Sequence, residues 1–317
     1  MAVDPQVQFV LDLVEKAGYP SFHELSPADA RAMFDDTAPK LDIRPENVFR
    51  WEQRSIPGPE GEIPVRVYVP REAAAGELLP VLVYYHGGGF VIGSLDSYDS
   101  LCRAIANRAD CIVVSVDYRL APEHKFPAAV DDCCAALDWV EAMAEELGGD
   151  PDRIAIGGDS AGGNLAAVTA IDARDNDGPP LVLQVLIYPV LGGAPETASH
   201  HDFADGYLLT RKNILWFYDH YLNDEAELSD PRFAPLLADD LSGLPPTLLI
   251  VAGYDPLCDE GLAYGARLKE AGVTVDLARY PGMTHGFVTM SDPIDKGKEA
   301  IDQIARALRQ AFMVNGG

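Results

Sequence analysis

Ser160, Asp255 and His285 are the side chains of this 317-residue sequence whose types and order suit nucleophile, orienting carboxylate and base. Ser160 sits in Gly157-Gly158-Asp159-Ser160-Ala161-Gly162-Gly163-Asn164, between the short apolar run ending at Ile156 and the helix-like stretch Leu165 to Ile171. A serine hydroxyl is a poor nucleophile until a base takes its proton. G-x-S-x-G between a strand and a helix holds a serine on a strained turn, with its hydroxyl at a helix mouth whose first N–H groups are unpaired. Gly158 and Gly162 fall where a Cβ would strike the neighbouring strand and helix. Alone, the pentapeptide also fits a structural turn or a phosphate-binding one, although neither a following lysine nor G-x-G-x-x-G spacing is present.

In such a turn the partners follow in the order Ser, Asp or Glu, His. The base is then His200, His201, His220 or His285, and the first three fall in a stretch without strands. His285 comes directly after the run from Val273 to Tyr280, on Pro281-Gly282-Met283-Thr284, and is the candidate base. A carboxylate must hold the imidazole tautomer and stabilise the imidazolium. Asp255 ends the run Leu248 to Tyr254 and is the candidate; as an Asp-Pro pair it also reads as a turn. Asp259 and Glu260 are expected to serve a helix N-terminus. Attack on a carbonyl builds an oxyanion that needs aimed N–H donors. His86-Gly87-Gly88-Gly89-Phe90 follows the run Val81 to Tyr85, and its glycines let Gly88 and Gly89 turn their N–H groups toward one point, joined by that of Ala161. His86 is expected to brace this loop. The alternative role of base is disfavoured by its position ahead of Ser160.

These residues meet only if each follows a strand of one sheet. Short, nearly continuous apolar runs stand at residues 81–85, 111–116, 154–156, 181–188, 247–251 and 273–277, with helical segments between most of them. One such segment, Ala128 to Leu147, carries Val130, Leu137 and Val140 on its inward face. Buried runs alternating with helices predict a mostly parallel α/β sheet covered on both faces, with the loops at the strands' C-terminal ends gathered on one side. Ahead of it, residues 48–54 and 63–69 alternate apolar with polar around Ile56-Pro57-Gly58-Pro59 and predict an antiparallel hairpin. Two helices, at residues 3–17 and from Ser26-Pro27 to about Ala38, precede any strand. Residues 191–228 hold no strand but gather aromatics. They predict a helical insertion lying over the site together with residues 1–45; a crossover helix with core aromatics is the alternative.

Of the residues 48% are hydrophobic, enough for a globular core, and no apolar run approaches membrane-spanning length. The N-terminus lacks the basic start and apolar block of a secretion signal. Five cysteines, an odd number without a C-x-x-C pair, predict reduced thiols in a cytoplasmic setting and no metal site. The net charge of −26 argues against nucleic acid and anionic membrane as partners. Only seven of the 24 basic residues are lysine, a pattern that suggests a salt-adapted host.

HGGGF at 86–90, DYRLAPEHKFPAA at 117–129, GDSAGGN at 158–164, DPLCDEG at 255–261 and GMTHGF at 282–287 together resemble the hormone-sensitive-lipase-like, family IV carboxylesterases of the α/β-hydrolase superfamily. The likeness covers nearly the whole chain; Cys258 stands where that family often has arginine. It implies a catalytic α/β-hydrolase domain at 46–190 and 229–317 and a helical cap at 1–45 and 191–228. It implies hydrolysis of short- to medium-chain acyl esters by water, without cofactor or metal. The roles it carries over are nucleophile for Ser160, base for His285, acid partner for Asp255, and oxyanion donors for Gly88, Gly89 and Ala161. Phe22, Phe34, Phe203, Tyr207, Leu208 and Trp216 are the candidate pocket lining, with packing among themselves the equal alternative, and a homodimer is expected from the resemblance alone. The alternatives are a catalytically silent small-molecule receptor on the same fold, or an amidase or deacetylase with the same triad.

Overall fold

The computed structural model describes residues 2–314. Asp4 caps the first helix, α1 (Pro5–Ala17), by accepting the Gln6 N–H, and left-handed Gly18 ends it. Ser26 caps α2 (Pro27–Leu41) through the Asp29 N–H. Both helices stand outside the sheet, as their position ahead of any strand predicts. The hairpin is β1 (Arg50–Gly58) and β2 (Gly61–Val69). Its turn is displaced from the expected residues: β1 runs on through Pro57 and Gly58, and Pro59-Glu60 makes the turn. β1 is the outermost strand, where a proline without an N–H to donate is tolerated.

From there strands and helices alternate as β3 (Leu79–Tyr85), α3 (Asp99–Ala109), β4 (Ile112–Val116), α4 (Ala128–Leu147), β5 (Gly149–Asp159), α5 (Ala161–Asp175) and β6 (Leu181–Ile187). After β6 come only α6 (Ala198–Asp202), α7 (Arg211–Tyr221) and short 3₁₀ turns before β7 (Thr247–Tyr254). The last described elements are α8 (Cys258–Glu270), β8 (Val275–Thr284) and α9 (Asp295–Val314). Among the described residues eight strands form one sheet in the order β1-β2-β4-β3-β5-β6-β7-β8, antiparallel as far as β4 and parallel from there on.

Strand periodicity divides the core in two. Val81, Val83, Ile112, Val114, Ile154 and Ile156 belong to one apolar cluster, with Leu137 of α4, Ala166 of α5 and Leu268 of α8. Leu82, Val113, Ala155, Val185 and Ile187 belong to the other, with Leu101 and Ile105 of α3 and Ile301, Ile304 and Leu308 of α9. Both faces are therefore covered, which is why the inner strands read as unbroken apolar runs.

β8 departs from the expected span. It begins at Val275 and, past an irregularity opposite Ala252–Tyr254, continues until Thr284 pairs with Tyr254. Residue 285 thus leaves directly from a strand end, not from a free loop. Parallel pairing brings the ends of β3, β5, β7 and β8 to one edge of the sheet. Among the described residues no helix is long and apolar enough to cross a membrane.

Candidate active site

Ser160 occupies the sharp corner between β5 and α5 with φ 55° and ψ −118°, a conformation that costs energy for any residue bearing a Cβ. The surroundings hold it there. Its N–H donates to Ile187 O at 2.9 Å, and its carbonyl accepts from Asn164 at 3.0 Å and Val190 at 3.2 Å. A Cβ on Gly162 would overlap the carbonyl oxygens of Tyr85 and His86, and one on Gly158 those of Gly162 and Tyr85. The two glycines of the motif are fixed by this close approach of backbones.

Asp255 leaves β7 fully buried, and both its oxygens are engaged. Oδ1 accepts the Leu257 N–H at 2.9 Å, and Oδ2 lies 2.8 Å from Nδ1 of His285. The other imidazole nitrogen, Nε2, lies 2.9 Å from Ser160 Oγ. A carboxylate can only accept, so Nδ1 carries the proton and Nε2 offers its lone pair to the serine hydroxyl. The Tyr188 ring packs beside the imidazole at 4.7 Å between centroids. Three side chains spread over 125 positions of sequence are thus in contact, in the order the sequence predicts.

The glycine loop leaves β3 beside Ser160. Gly88 and Gly89 have φ of 119° and 58°, and among the described residues no backbone carbonyl accepts either N–H. Both glycines line the cavity that also holds Ser160 and His285. Asp159, which the sequence left without a role, anchors the loop. Its carboxylate accepts from the Gly87 N–H, the Tyr84 hydroxyl and the Tyr98 hydroxyl, each at 2.9 Å. Burial pushes this carboxyl up to about 6, against the pull of those donors. His86 is fully buried and stacks on Tyr118 at 4.4 Å, and its Nδ1–H donates to Gly87 O at 2.7 Å. Burial lowers the imidazole to about 4, so it is a neutral brace near pH 7, in keeping with the bracing role. Tyr118, from the DYRLAPEH stretch, donates its hydroxyl to His86 O at 2.7 Å and gives that stretch a structural purpose.

A cavity of ≈ 160 Å³ opens over Ser160. Three of the six expected lining residues face it, Phe22, Phe34 and Leu208, with Ile214, Phe217 and Tyr218 beside them. Phe203, Tyr207 and Trp216 do not. Phe203 and Tyr207 pack at a tilt on Tyr254 instead, at 5.4 and 5.0 Å between ring centroids. Trp216 packs on His220 at 4.6 Å. The reason is helical rotation: Asn213, Ile214, Phe217, Tyr218 and Tyr221 are the buried face of α7, and Trp216 falls beside it. The Phe217 ring lies so near Gly89 that a Cβ there would overlap it.

Asp259 and Glu260 stand in the first turn of α8, as expected. Glu260 is also buried, accepts the Leu191 N–H at 2.8 Å, and is pushed up to about 8 by desolvation.

The family model described as alpha/beta hydrolase fold matches residues 82–289. The chain is 48% identical to the carboxylic ester hydrolase LipN of Mycobacterium tuberculosis over 80% of this chain and 69% of that protein. It is 44% identical to the carboxylesterase NlhH of the same species over 98% of this chain and 96% of the relative. A solved ester hydrolase, EH1AB1 from the Lake Arreo metagenome, complexed with a bipyridine phosphonate derivative, superimposes with a TM-score of 0.94 at 43% identity, over 98% of this chain and 99% of that one.

Proposed function

The chain belongs to the α/β-hydrolase family, in its hormone-sensitive-lipase-like branch, and from that premise we propose that Ser160, His285 and Asp255 are its catalytic triad. It is a carboxylic ester hydrolase. The observation that carries the triad reading is the unbroken contact from Asp255 Oδ2 through both imidazole nitrogens to Ser160 Oγ, at 2.8 and 2.9 Å.

The steps follow from that contact. Ser160 Oγ attacks the ester carbonyl carbon while its proton passes to His285 Nε2, and the imidazolium donates both N–H groups, one of them to Asp255. The carbonyl oxygen becomes an oxyanion facing the N–H groups of Gly88, Gly89 and Ala161, which we propose as the oxyanion hole. As the tetrahedral intermediate collapses, the C–O bond to the alcohol breaks and Nε2–H protonates the leaving oxygen. Water then gives a proton to Nε2 and attacks the acyl carbon; the second intermediate expels Ser160, which regains its proton. One water is consumed and no electron is transferred.

Short- to medium-chain acyl esters fit a small, mostly apolar cavity. Residues 1–45 and 191–228 form, in this reading, a cap on the catalytic domain of 46–190 and 229–317, since Phe22 and Phe34 reach the cavity from one segment and Leu208 and Phe217 from the other. Five free thiols support a cytoplasmic location. The homodimer expected from the resemblance belongs to the same proposal, and sedimentation velocity checks it. The triad is tested by Ser160→Ala, expected to lower kcat on p-nitrophenyl esters by a factor on the order of 10⁶. A folded Ser160→Ala protein with near-normal turnover would overturn the assignment.

A further inference from the structure

The strand-free segment between β6 and β7 is hydrogen-bonded to the chain neighbours of Asp255 and His285. Ser199 of α6 is buried, and its Oγ–H donates to the carbonyl of Pro256, the residue after Asp255, at 2.6 Å. Its N–H donates to Asp259 Oδ2 at 2.8 Å, and the Asp259 N–H returns to Ser199 Oγ at 3.2 Å. Thr284, the residue before His285, is fully buried and donates Oγ1–H to Tyr207 O at 2.5 Å. Between these two fastenings, the rings of Phe203 and Tyr207 pack on Tyr254, the residue before Asp255.

The acid and base stand on the two outermost parallel strands. β8 is the edge of the sheet, and past the irregularity at Ala252–Tyr254 its ladder to β7 is reduced to the single pair Tyr254–Thr284. The sheet therefore holds the exit of β8 weakly, just where His285 must meet two partners at once. A shift of about 1 Å at reacting groups can cost about 10² in rate. Resting on the triad reading above, we propose that Ser199 and Thr284 are positioning residues, through which the segment at 199–207 holds Asp255 and His285 in register with Ser160. The cap segment in this account does more than cover substrate: it clamps the acid to the base.

The test is kinetic. Thr284→Val keeps the side-chain shape and removes the hydroxyl, and Ser199→Ala removes the other fastening. Each is expected to lower kcat about 10- to 100-fold with KM within about twofold of wild type, because neither residue lines the cavity. Inactivation by a small fluorophosphonate, which needs an activated Ser160 but no ester binding, should slow in parallel. Thr284→Ser, which restores the hydroxyl, should recover kcat. Should Thr284→Val fail to fold, Ser199→Ala and Thr284→Ser still carry the comparison.

The proposal is overturned by kcat and inactivation rates within about twofold of wild type, by an effect confined to KM, or by Thr284→Ser failing to match wild type. Ser160→Ala in the same assay separates the two readings. Turnover retained by Ser160→Ala defeats the triad; a silent Ser160→Ala beside fully active Ser199 and Thr284 variants defeats only the positioning role.

Discussion

Replacing Asp255 by asparagine exchanges one oxygen for an NH₂ group, and the structure dictates where that group goes. The Leu257 N–H needs an acceptor at Oδ1, 2.9 Å away, so the amide oxygen turns there and the NH₂ faces His285 Nδ1 across the present 2.8 Å contact. Two donors cannot share that contact. Nδ1 must give up its proton and accept, the ring proton moves to Nε2, and an N–H then points at Ser160 Oγ where a lone pair is needed. Fold and ester binding have no reason to change, since the substitution is nearly isosteric in a fully buried position. A reversed tautomer of this kind is worth about 10⁴ in kcat, or about 5.5 kcal/mol of transition-state stabilisation at roughly 1.36 kcal/mol per decade. Stopped-flow or steady-state hydrolysis of p-nitrophenyl butyrate near neutral pH reads kcat and KM separately. A loss in kcat of this order with KM nearly unmoved is expected. An Asp255→Asn enzyme within about tenfold of wild-type kcat would refute the tautomer argument and the role given to Asp255.

Gly88→Ala forces a side chain into the space of the Ile92 carbonyl at a φ of 119°, so one proposed oxyanion donor is displaced and kcat should fall about 10²–10³; a kcat unchanged in steady-state assays excludes Gly88 from the hole. Asp42 ends α2 and accepts from Ser291 at 2.9 Å, and burial raises its carboxyl from 3.8 to about 7. The folded protein therefore holds a proton that the unfolded chain releases, so stability is full below the unfolded value and falls as pH rises toward 7. Asp42→Asn abolishes that slope, by up to a few kcal/mol, and should melt above wild type at pH 8–9; melting curves that stay parallel from pH 4 to 9 contradict it. A net charge of −26 predicts a melting temperature that climbs as sodium chloride screens self-repulsion, and a flat salt series removes both that effect and the suggestion of a salt-adapted host.

The candidate site was legible because each member follows a strand of a parallel sheet, and such a sheet brings strand ends to one edge whatever lies between them. Ser160, Asp255 and His285 carry chemistry that local sequence alone cannot conceal: a hydroxyl between glycines, a carboxyl at the end of an apolar run, an imidazole after another. What stayed hidden depends on rotation and on tertiary partners. Trp216 and Phe217 are neighbours in sequence, yet the rotation of about 100° per residue in α7 sends Phe217 to the cavity and Trp216 to His220. Phe203 and Tyr207 pass for pocket residues by composition, but they pack on Tyr254, the residue before Asp255. Asp159 and Glu260 read as ordinary acidic residues until burial reveals one on the glycine loop and the other on Leu191. The span of β8 escaped prediction because Pro281-Gly282 signals a loop, and only pairing with β7 carries the strand on to Thr284.

In the proposed mechanism every acyl group passes through the oxygen of Ser160. Acid-quenching the enzyme within milliseconds of mixing with a p-nitrophenyl ester, then mapping the peptides by mass spectrometry, tests it at the atom concerned. The acyl mass should appear on the peptide holding Ser160 and on no other, and disappear as turnover ends. Robust ester hydrolysis with the acyl mass on a different residue would contradict the account.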